Sequence, residues 1–421
     1  MRTAGWRVQQ REPHTDSAML TAYRPILTAP NVWPFVVGGI LARTGGAMFG
    51  VAVIVMLSQR RGSYTVAGAV SAVGILVLAI AGPFIGRLAD KHGQRRAALP
   101  FVMLAVSAAL VTVWLSAALA PIWMLFLAYG ISSITPELGP MSRARWAHIF
   151  RDRPDRLHTA MSFEQVLDEA SFVIGPVLTV LLATTWFPEA GLLGAVLLYG
   201  VGMVSFLLAG ATEPPVTARE HRPPGLAVRH AGLLPVAVVL VMAGVIFGAN
   251  EVVAVAVADE AGRPRMSSVI LAAFALGSTI AGIVFGAITF RMSQTRRLLY
   301  AALGMFVLEA PALVVGNLWA LWGLVLVMLV AGCATAPMLI TGMSLSQHLV
   351  PRALITEGMA IAVTGILVGI SLGAAVGGLA VDHLGAHAAY IVPVGAGLVA
   401  AVLAAVRYRP LLRAERAAVH S

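Results

Sequence analysis

The sequence predicts an all-α membrane protein with twelve transmembrane helices in two pseudo-symmetric six-helix bundles. Apolar residues make up 59% of the 421 residues and charged residues only 11%, whereas soluble domains carry about 25% charged residues. Apolar runs near the roughly 20 residues that cross a bilayer recur from Trp33 almost to the end of the chain. The second half also repeats features of the first half at an offset of 200 residues. A bilayer, and not a soluble core, explains this much apolar sequence.

Twelve apolar runs predict the spans, because charged residues, glycine or proline interrupt the sequence between each run and the next. The first six lie near residues 33–57, 66–86, 98–119, 122–146, 160–185 and 189–211. The second six lie near residues 233–257, 267–290, 298–316, 318–342, 355–380 and 386–406.

The distribution of lysine and arginine predicts the orientation. With the N-terminus inside, the cytoplasmic tails and loops hold 24 basic residues and the outer loops hold 4. Positive residues accumulate on the cytoplasmic side of membrane proteins. We therefore expect a multi-pass protein of the cell (inner) membrane with both termini in the cytoplasm.

The predicted organisation has five parts. A cytoplasmic tail (1–32) precedes the first bundle (33–211), and a second bundle (233–406) precedes the C-terminal tail (407–421). Between the bundles lies the longest polar interior stretch, 212–232, which carries four prolines and three arginines. It is the expected cytoplasmic linker.

Several classes of function are excluded by composition. The net charge of +10 is spread over short clusters between apolar runs, which is not the continuous basic surface of a nucleic-acid-binding protein. Cys333 is the single cysteine, so neither an intrachain disulfide nor a cysteine-based metal site is possible. No nucleotide-binding Gly-rich loop with its lysine occurs, and the histidines lack the spacing of a zinc site. We expect no enzymatic activity, no cofactor and no metal.

The first thirty residues do not predict a cleavable signal peptide. They carry four arginines and three prolines and lack a short apolar stretch followed by a small-residue cleavage site. The first apolar run is expected to serve as the uncleaved first span.

An internal repeat relates the two halves. Gly82 and Gly86, four residues apart before the loop between spans two and three, match Gly282 and Gly286 before the loop between spans eight and nine. Glycines at this spacing lie on one helix face and allow close approach of a neighbouring helix. Polar positions of the two loops also match: Lys91 with Arg291, Gln94 with Gln294, and Arg96 with Arg296. Repeats of this kind are typical of secondary transporters.

The loop between spans two and three reads GRLADKHGQRR at 86–96. It resembles the signature loop of the major facilitator superfamily in its residues, spacing and cytoplasmic position, and with the six-plus-six layout the resemblance covers nearly the whole chain. The resemblance implies a transporter that works by alternating access, without a cofactor.

Individual residues of the loop have predicted roles. Gly86 is expected to allow close packing of the helix end, and Gly93 to adopt the positive φ of a tight turn. In the family, the aspartate at the position of Asp90 holds the two halves closed on the cytoplasmic side. Asp90 is therefore a predicted gate residue, with Arg143 or Arg145 as its partner. The basic residues of the loop either belong to this gate or only anchor the topology; they are Lys91, Arg95 and Arg96.

The fifth span carries part of an antiporter-type signature. Gly175 and Pro176 match its Gly-Pro core and would bend the helix. The family pattern then has paired glycines where this chain has Thr179 and Val180. The usual arginine pattern of span four is missing from 129–137. Both departures weaken an assignment as a drug/proton antiporter.

Ionisable residues inside the first bundle are the candidate coupling site, because charges within a bilayer are costly and usually functional. We expect Arg43 in span one to pair with Glu137 in span four or Asp168 in span five, with Glu169 in the same region. Incomplete pairing would leave a carboxylate to carry a proton; the alternative is a static ion pair that stabilises the bundle. Glu164, nearest the cytoplasmic end, is expected to be interfacial.

The second bundle offers fewer candidates. Asn250 and Glu251 lie in the outer part of span seven, which lines the central cavity in the family, so Glu251 would bind a cation or a proton there. It could instead lie solvated at the outer mouth. Glu309 in span nine has no assigned role.

These residues predict a secondary transporter that exchanges protons for a small organic solute, with efflux as the first choice. The expected partners are the solute, protons and the lipid bilayer, and the protein is expected to be a monomer. Proton-coupled uptake of a metabolite and a non-transporting membrane receptor with this fold are the alternatives.

Overall fold

The computed structural model describes residues 23–216, 232–288, 292–315, 321–350 and 355–419. Over these ranges the chain is helical apart from turns, and no β-strand occurs in them. Arg291, most of the predicted linker and most of the N-terminal tail lie outside the described residues.

Sixteen helices account for the architecture of the described parts. In the first half they are α1 (Val32–Arg61), α2 (Tyr64–His92), α3 (Gln94–Ala117), α4 (Ile122–Ser132), α5 (Leu138–Ile149), α6 (Pro154–Thr185) and α7 (Ala190–Leu208). In the second half they are α8 (Leu233–Glu260), α9 (Met266–Ala287), α10 (Gln294–Glu309), α11 (Pro311–Val315), α12 (Leu321–Gly332), α13 (Thr335–His348), α14 (Ile355–Leu384), α15 (Ile391–Val406) and α16 (Tyr408–Val419).

The predicted spans are present. Eleven helical stretches of the described chain are long and apolar enough to cross a membrane, and α4 with α5 occupies the place of the predicted fourth span. Large apolar side chains are exposed around the bundle, among them Ile80, Trp114 and Ile283 at 67% or more. A soluble protein rarely exposes so much apolar surface, whereas lipid covers it. The chain is a multi-pass membrane protein.

The fourth span differs from the single helix expected over 122–146, because it is broken between Ser132 and Leu138. Pro136 has no N–H to donate and disfavours helical geometry in the residue before it. The hydroxyls of Ser132 and Ser133 donate to the carbonyl of Tyr129, at 2.7 and 2.9 Å, and so satisfy the end of α4. The break leaves Glu137 at the start of α5.

Close helix packing depends on small residues. A Cβ atom at Gly202 of α7 would lie 2.3 Å from the backbone nitrogen of Ala42 in α1. In the second half, a Cβ atom at Gly248 of α8 would lie 1.9 Å from the carbonyl oxygen of Ile370 in α14. Backbones this close gain extensive van der Waals contact, which is the main attraction between helices in lipid.

The internal repeat is visible in the contacts of the two halves. Glu213, after the sixth span, accepts a hydrogen bond from the backbone N–H of Arg95 at the start of α3 (3.1 Å). Glu415, after the twelfth span, accepts from the backbone N–H groups of Gln294 and Thr295 at the start of α10 (2.8 and 3.0 Å). A carboxylate at a helix N-terminus satisfies free N–H groups and interacts favourably with the helix dipole. Each half therefore caps its third span with a glutamate that follows its sixth span.

Candidate transport site and gates

The buried ion-pair network of the first bundle joins spans one, four and five. Arg43 donates from Nε to Asp168 Oδ1 at 2.6 Å and from Nη2 to Glu164. Arg143 donates to the other oxygen of Asp168 at 2.6 Å. The predicted pairing of Arg43 with Asp168 is present. Two arginines and two carboxylates make the network electrically balanced.

Glu164 is not interfacial as predicted, since its side chain is only 1% exposed. Besides Arg43, it accepts hydrogen bonds from Ser142 Oγ (2.9 Å) and Trp146 Nε1 (2.8 Å), both on α5. A buried carboxylate is tolerated when it is paired and hydrogen-bonded, and α5 supplies those donors. Distance from the cytoplasmic end along the helix was therefore a poor guide to its burial.

Glu137 does not pair with Arg43, so the alternative partner expected for that arginine is wrong. The carboxyl of Glu137 packs against span two instead, where a Cβ atom at Gly82 would lie 2.6 Å from its Oε1. The break in the fourth span turns this residue away from the network of α1 and α6. Glu137 is half-buried and has no cationic partner in the described residues.

Glu169 lies where the two halves meet. Its Oε2 accepts a hydrogen bond from Thr279 of α9 at 3.2 Å, and its Oε1 accepts one from Gln165 at 3.0 Å. Neither donor is charged. Glu169 thus points away from the paired face of Asp168, as expected for neighbours on a helix.

Glu251 of span seven faces the first half. Its two carboxylate oxygens would lie 3.2 and 3.3 Å from a Cβ atom at Gly50 of α1, and Tyr129 of α4 lies within its electrostatic influence. The hydroxyl of Tyr129 is held by the carbonyl of Phe49 at 3.3 Å. Asn250, the preceding residue, is buried instead within the second bundle, at 2% exposure. The two residues expected to share a cavity position therefore face different environments.

The signature loop has one glycine in its expected role and one that differs. Gly93 has φ +88 and ends α2 through an N–H bond to Ala89 (2.9 Å), which confirms the predicted tight turn. Gly86 does not permit close packing as expected, because nothing lies within 4 Å of a Cβ atom placed there. Gly286 is equally open, while Gly282 approaches Ala336 at 3.2 Å. Only the first glycine of each pair packs against a neighbouring span.

The predicted partners of Asp90 are engaged elsewhere. Arg143 pairs with Asp168, and Arg145 is fully buried. Arg145 donates to Gln94 and to the carbonyl of Ala209, both at 2.8 Å. Asp90 is exposed and makes no ion pair with any residue that the structure describes. In this conformation Arg145 is a structural link between spans three, four and six.

The other basic residues of the loop point outward. The side chains of Arg95 and Arg96 are exposed, and only the backbone of Arg95 takes part in the cap by Glu213. Their roles as gate residues or as topological anchors stay predictions.

Gly175 brings span five against span one. A Cβ atom there would lie 2.9 Å from the Ala47 side chain and 3.1 Å from its backbone. Thr179, where the family pattern has glycine, is buried and donates to the carbonyl of Gly175 at 3.0 Å. Pro176 lies inside the continuous helix α6. The Gly-Pro pair therefore marks the contact between the two spans that carry the ion-pair network.

The predicted outer ends of the halves are joined by a carboxylate that the sequence analysis did not select. Asp382, near the end of α14, accepts hydrogen bonds from Ser63 Oγ (2.8 Å) and from the backbone N–H groups of Tyr64 and Thr65 (3.0 and 2.8 Å). The Tyr64 hydroxyl donates to Asp259 of α8 at 2.6 Å. An aspartate at the end of an apolar span was a visible signal, but its partner over three hundred residues away was not.

A second unpredicted carboxylate, Glu189, links spans one, three and six. It accepts two hydrogen bonds from Arg60 (2.7 and 2.9 Å) and one from Ser116 (3.1 Å). Burial opposes its ionisation, but the hydrogen bonds and charge of Arg60, together with hydrogen bonds from the backbone and Ser116, hold the pKa of this carboxyl below its ordinary value. Arg60 lies in the last turn of α1 and is one of the four basic residues of the predicted outer loops.

The fold and these contacts define a membrane transporter built from two related six-span halves. The sequence profile of the Major Facilitator Superfamily matches residues 35–356 and 236–420. The chain belongs to this family, as its signature loop indicated.

Solved structures resemble the whole chain. A bacterial homologue of the iron transporter ferroportin, in its inward-facing state, superposes with a TM-score of 0.68 at 16% identity, over 93% of this chain and 99% of that one. The nucleoside transporter NupG superposes with a TM-score of 0.66 at 16% identity, over 89% and 99%. At these identities the likeness shows the fold alone.

A curated relative matches a shorter stretch. Macrolide efflux protein A of Streptococcus pyogenes is 25% identical over 146 residues, which is 33% of this chain and 35% of the relative. The chain thus matches about a third of the length of that protein.

Proposed function

We propose that this protein is a proton-coupled secondary transporter that exports an organic solute by alternating access. The observation that carries the proposal is a set of half-buried carboxylates without a cationic partner among the described residues. They lie in both halves: Glu137, Glu169 and Glu251. An unpaired carboxylate in a poorly solvated place favours its neutral form, so it can take up a proton near neutral pH.

The balanced network has a different proposed role. Arg43 and Arg143 neutralise Glu164 and Asp168, which favours the static reading of these four charges. They would fix spans one, four and five relative to one another while the unpaired carboxylates exchange protons. Proton exchange at Asp168 stays open, because its side chain is 24% exposed.

Glu251 is the leading candidate for the coupling site. It lies on span seven against Gly50 of span one, so its surroundings must change when the halves rock. A proton there would be lost or gained as the carboxyl moves between the apolar contact and the solvated cavity. Glu169, held only by neutral donors across the other contact between the halves, would respond to the same motion.

Two gates fit this scheme. The contacts of Asp382 with Ser63, Tyr64 and Thr65 close the predicted outer end, while Asp90 at the predicted cytoplasmic end is exposed. We infer an inward-facing conformation in a protein whose termini both lie in the cytoplasm. Closure of the cytoplasmic end would then bury Asp90 against the opposite half.

Efflux is favoured by two observations. The partial relative is named as a macrolide efflux protein, and the Gly175–Pro176 pair joins spans one and five at the network. A bulky organic compound is accordingly the proposed substrate class. Proton-coupled uptake is the runner-up, because the unpaired carboxylates serve either direction equally well.

Transport into proteoliposomes tests the proposal. With protein reconstituted in vesicles and a macrolide as the first substrate, an imposed pH gradient should drive substrate against its concentration gradient. Glu251→Gln should abolish this response, with Glu169→Gln and Asp168→Asn measured beside it. Glu189→Gln is the matched control, because that carboxylate is buried but paired with Arg60, so coupling should survive in it.

Two results would overturn the proposal. Intact coupling in Glu251→Gln, Glu169→Gln, Asp168→Asn and Glu137→Gln alike would exclude these carboxylates as proton sites. Movement of substrate in neither direction, across a panel of organic cations, macrolides and metabolites under any gradient, would favour a receptor with a transporter fold.

A further inference from the structure

Three polar side chains deep in the second bundle carry atoms without a satisfied hydrogen bond. Asn250 on span seven and Glu309 on span nine are each 2% exposed, and Tyr390, in the turn before span twelve, is 0% exposed. Glu309 Oε1, the Tyr390 hydroxyl and both amide atoms of Asn250 make no hydrogen bond with any described residue. Buried polar atoms are nearly always satisfied, so a group of such atoms at one place requires an explanation.

These three side chains form one cluster. The amide of Asn250 faces the Glu309 carboxyl, and the Tyr390 hydroxyl lies within the electrostatic influence of the same carboxyl. Spans seven, nine and twelve supply one member each. Their convergence means that the cluster is a built feature of the bundle and not a lone polar residue facing lipid.

The first half also holds a buried carboxylate between its corresponding spans, nearer the ends of those helices and with a counter-charge. Spans one, three and six supply Arg60, Ser116 and Glu189, and there the buried carboxylate is neutralised by the arginine. Spans seven, nine and twelve are the counterparts of those spans in the second half. Among the described residues of that half, no arginine or lysine forms an ion pair with Glu309. Without such a partner an ionised Glu309 would be a buried charge without a counter-charge, which is strongly unfavourable.

We propose that Glu309, Asn250 and Tyr390 form a proton-binding site inside the second bundle. The bound proton lies on the Glu309 carboxyl, which then donates or accepts within the cluster while Asn250 and Tyr390 supply complementary polar atoms. Asn250 adjoins Glu251 on α8, so the site lies behind the proposed coupling carboxylate but is separate from it. It goes beyond the proposed function and does not depend on the identity of any solute.

The other ionisable groups on the elements around the cluster lie toward its two ends. At the predicted outer side, Asp259 and Glu260 are hydrogen-bonded to Tyr64 and to the backbone N–H of Ala386. Glu251 faces Gly50 of the first half, and His387, three residues before Tyr390, has a buried Nδ1 without a hydrogen-bond partner among the described residues. The groups at the cytoplasmic end of α10 and α13 lie at the opposite end of span nine. They include His348, Tyr408, Arg409, Arg413, Glu415 and Arg416.

Infrared difference spectroscopy of the purified full-length protein in lipid nanodiscs tests the site directly. A protonated carboxyl absorbs at a different frequency from a carboxylate, and a pH titration identifies the groups that exchange protons. The wild-type protein should show a protonated-carboxyl band at neutral pH that is lost in Glu309→Gln. The matched variant Glu189→Gln should keep that band, because the wild-type Glu189 carboxylate is paired with Arg60 and stays ionised at neutral pH.

Further variants and ions make the outcome decisive. Tyr390→Phe and Asn250→Leu should each shift the frequency of the band without removing it, and they replace Glu309→Gln if that variant does not fold. The proposal would be overturned by a band that is unchanged in Glu309→Gln, or by a band whose frequency is the same in Tyr390→Phe and Asn250→Leu as in the wild type. Loss of the band on adding sodium ions at constant pH would also overturn it, by assigning a cation site instead of a proton site.

The titration also separates this site from the proposed transport mechanism. A band that depends on Glu309, in a protein that moves no substrate in a pH gradient, would support the site and reject the coupling scheme. Coupled transport in a protein without such a band would support the coupling scheme and reject the proton site at Glu309.

Discussion

Removal of Arg43 should destabilise the first bundle strongly, because this arginine is the partner of two carboxylates. Its side chain is 6% exposed, and that of Glu164 is 1% exposed. In Arg43→Gln, Asp168 keeps Arg143, but Glu164 keeps only neutral donors. Removing one member of a buried ion pair costs about 3–5 kcal/mol, and we expect a loss of unfolding free energy in that range.

A neutral double variant should recover much of this loss. Arg43→Gln with Glu164→Gln removes both charges and leaves the pair of Asp168 and Arg143 intact. Replacing a whole buried pair by neutral groups is often nearly neutral in stability, so the coupling energy of the cycle should be about 2–3 kcal/mol. Arg143→Gln is the matched control: its side chain is 38% exposed, and partly solvated ion pairs contribute about 0–1 kcal/mol.

The assay is unfolding in mixed detergent micelles, followed by tryptophan fluorescence during titration with a denaturing detergent, with apparent thermal stability as a second measurement. Recovery in the double variant is the critical result. The reasoning is refuted if Arg43→Gln unfolds within about 1 kcal/mol of the wild type, or if the double variant is no more stable than Arg43→Gln alone.

Three further perturbations follow from the structure. Because the pKa of Glu189 is depressed, its ion pair stabilises the protein fully above the unfolded-state pKa of about 4.3, and this stabilisation is lost as pH falls through the lower folded-state pKa. Glu189→Gln should therefore reduce the loss of thermal stability at acid pH. An unchanged dependence of thermal stability on pH would contradict this. Gly175→Val should destabilise the protein by about 1–3 kcal/mol through overpacking, whereas Gly86→Val should have little effect because its site is open; equal effects on thermal stability would refute the assignment. Gly378→Ala should oppose closure of the predicted outer end, because its Cβ would lie 2.2 Å from the Tyr64 carbonyl oxygen. A cost of about 1–3 kcal/mol would shift the equilibrium between the closed and open outer end about 5–150-fold. Cysteines introduced at the outer end should then be alkylated faster, and unchanged alkylation rates would exclude a role of Gly378 in closure.

Hydropathy allowed the spans to be predicted closely, and the residues at 86–96 allowed the family to be recognised by resemblance. Hydropathy succeeds because the bilayer requires each crossing segment to be apolar and helical whatever its neighbours are. The turn at Gly93 was predicted for a similarly local reason, because a positive φ is a property of the residue and its turn. The broken fourth span was missed, although Pro136 stood within the predicted helix as a visible warning.

The candidate site was predicted only in part. The pairing of Arg43 with Asp168 followed from the rarity of charges in spans one and five, since few partners were available. Glu164 and Glu137 were misplaced because depth along a span does not say which face a residue presents, or to which neighbour. Arg145 is engaged by Gln94 and Ala209 in this conformation, and its contact with Asp90 stays a prediction.

The sequence by itself determined what this protein is: a polytopic helical transporter of two related halves with the family's signature loop between its second and third spans. Hydrophobic length, charge bias and turn residues are local properties, and each can be read without knowing the packing. Only the tertiary structure decided which charges neutralise one another and which stay unpaired. Asp382 joins the two halves, and Glu309 lies without a counter-charge among the described residues, because helices distant in the chain bring particular faces together. In lipid those faces are selected by close packing and by the need to satisfy each buried polar group.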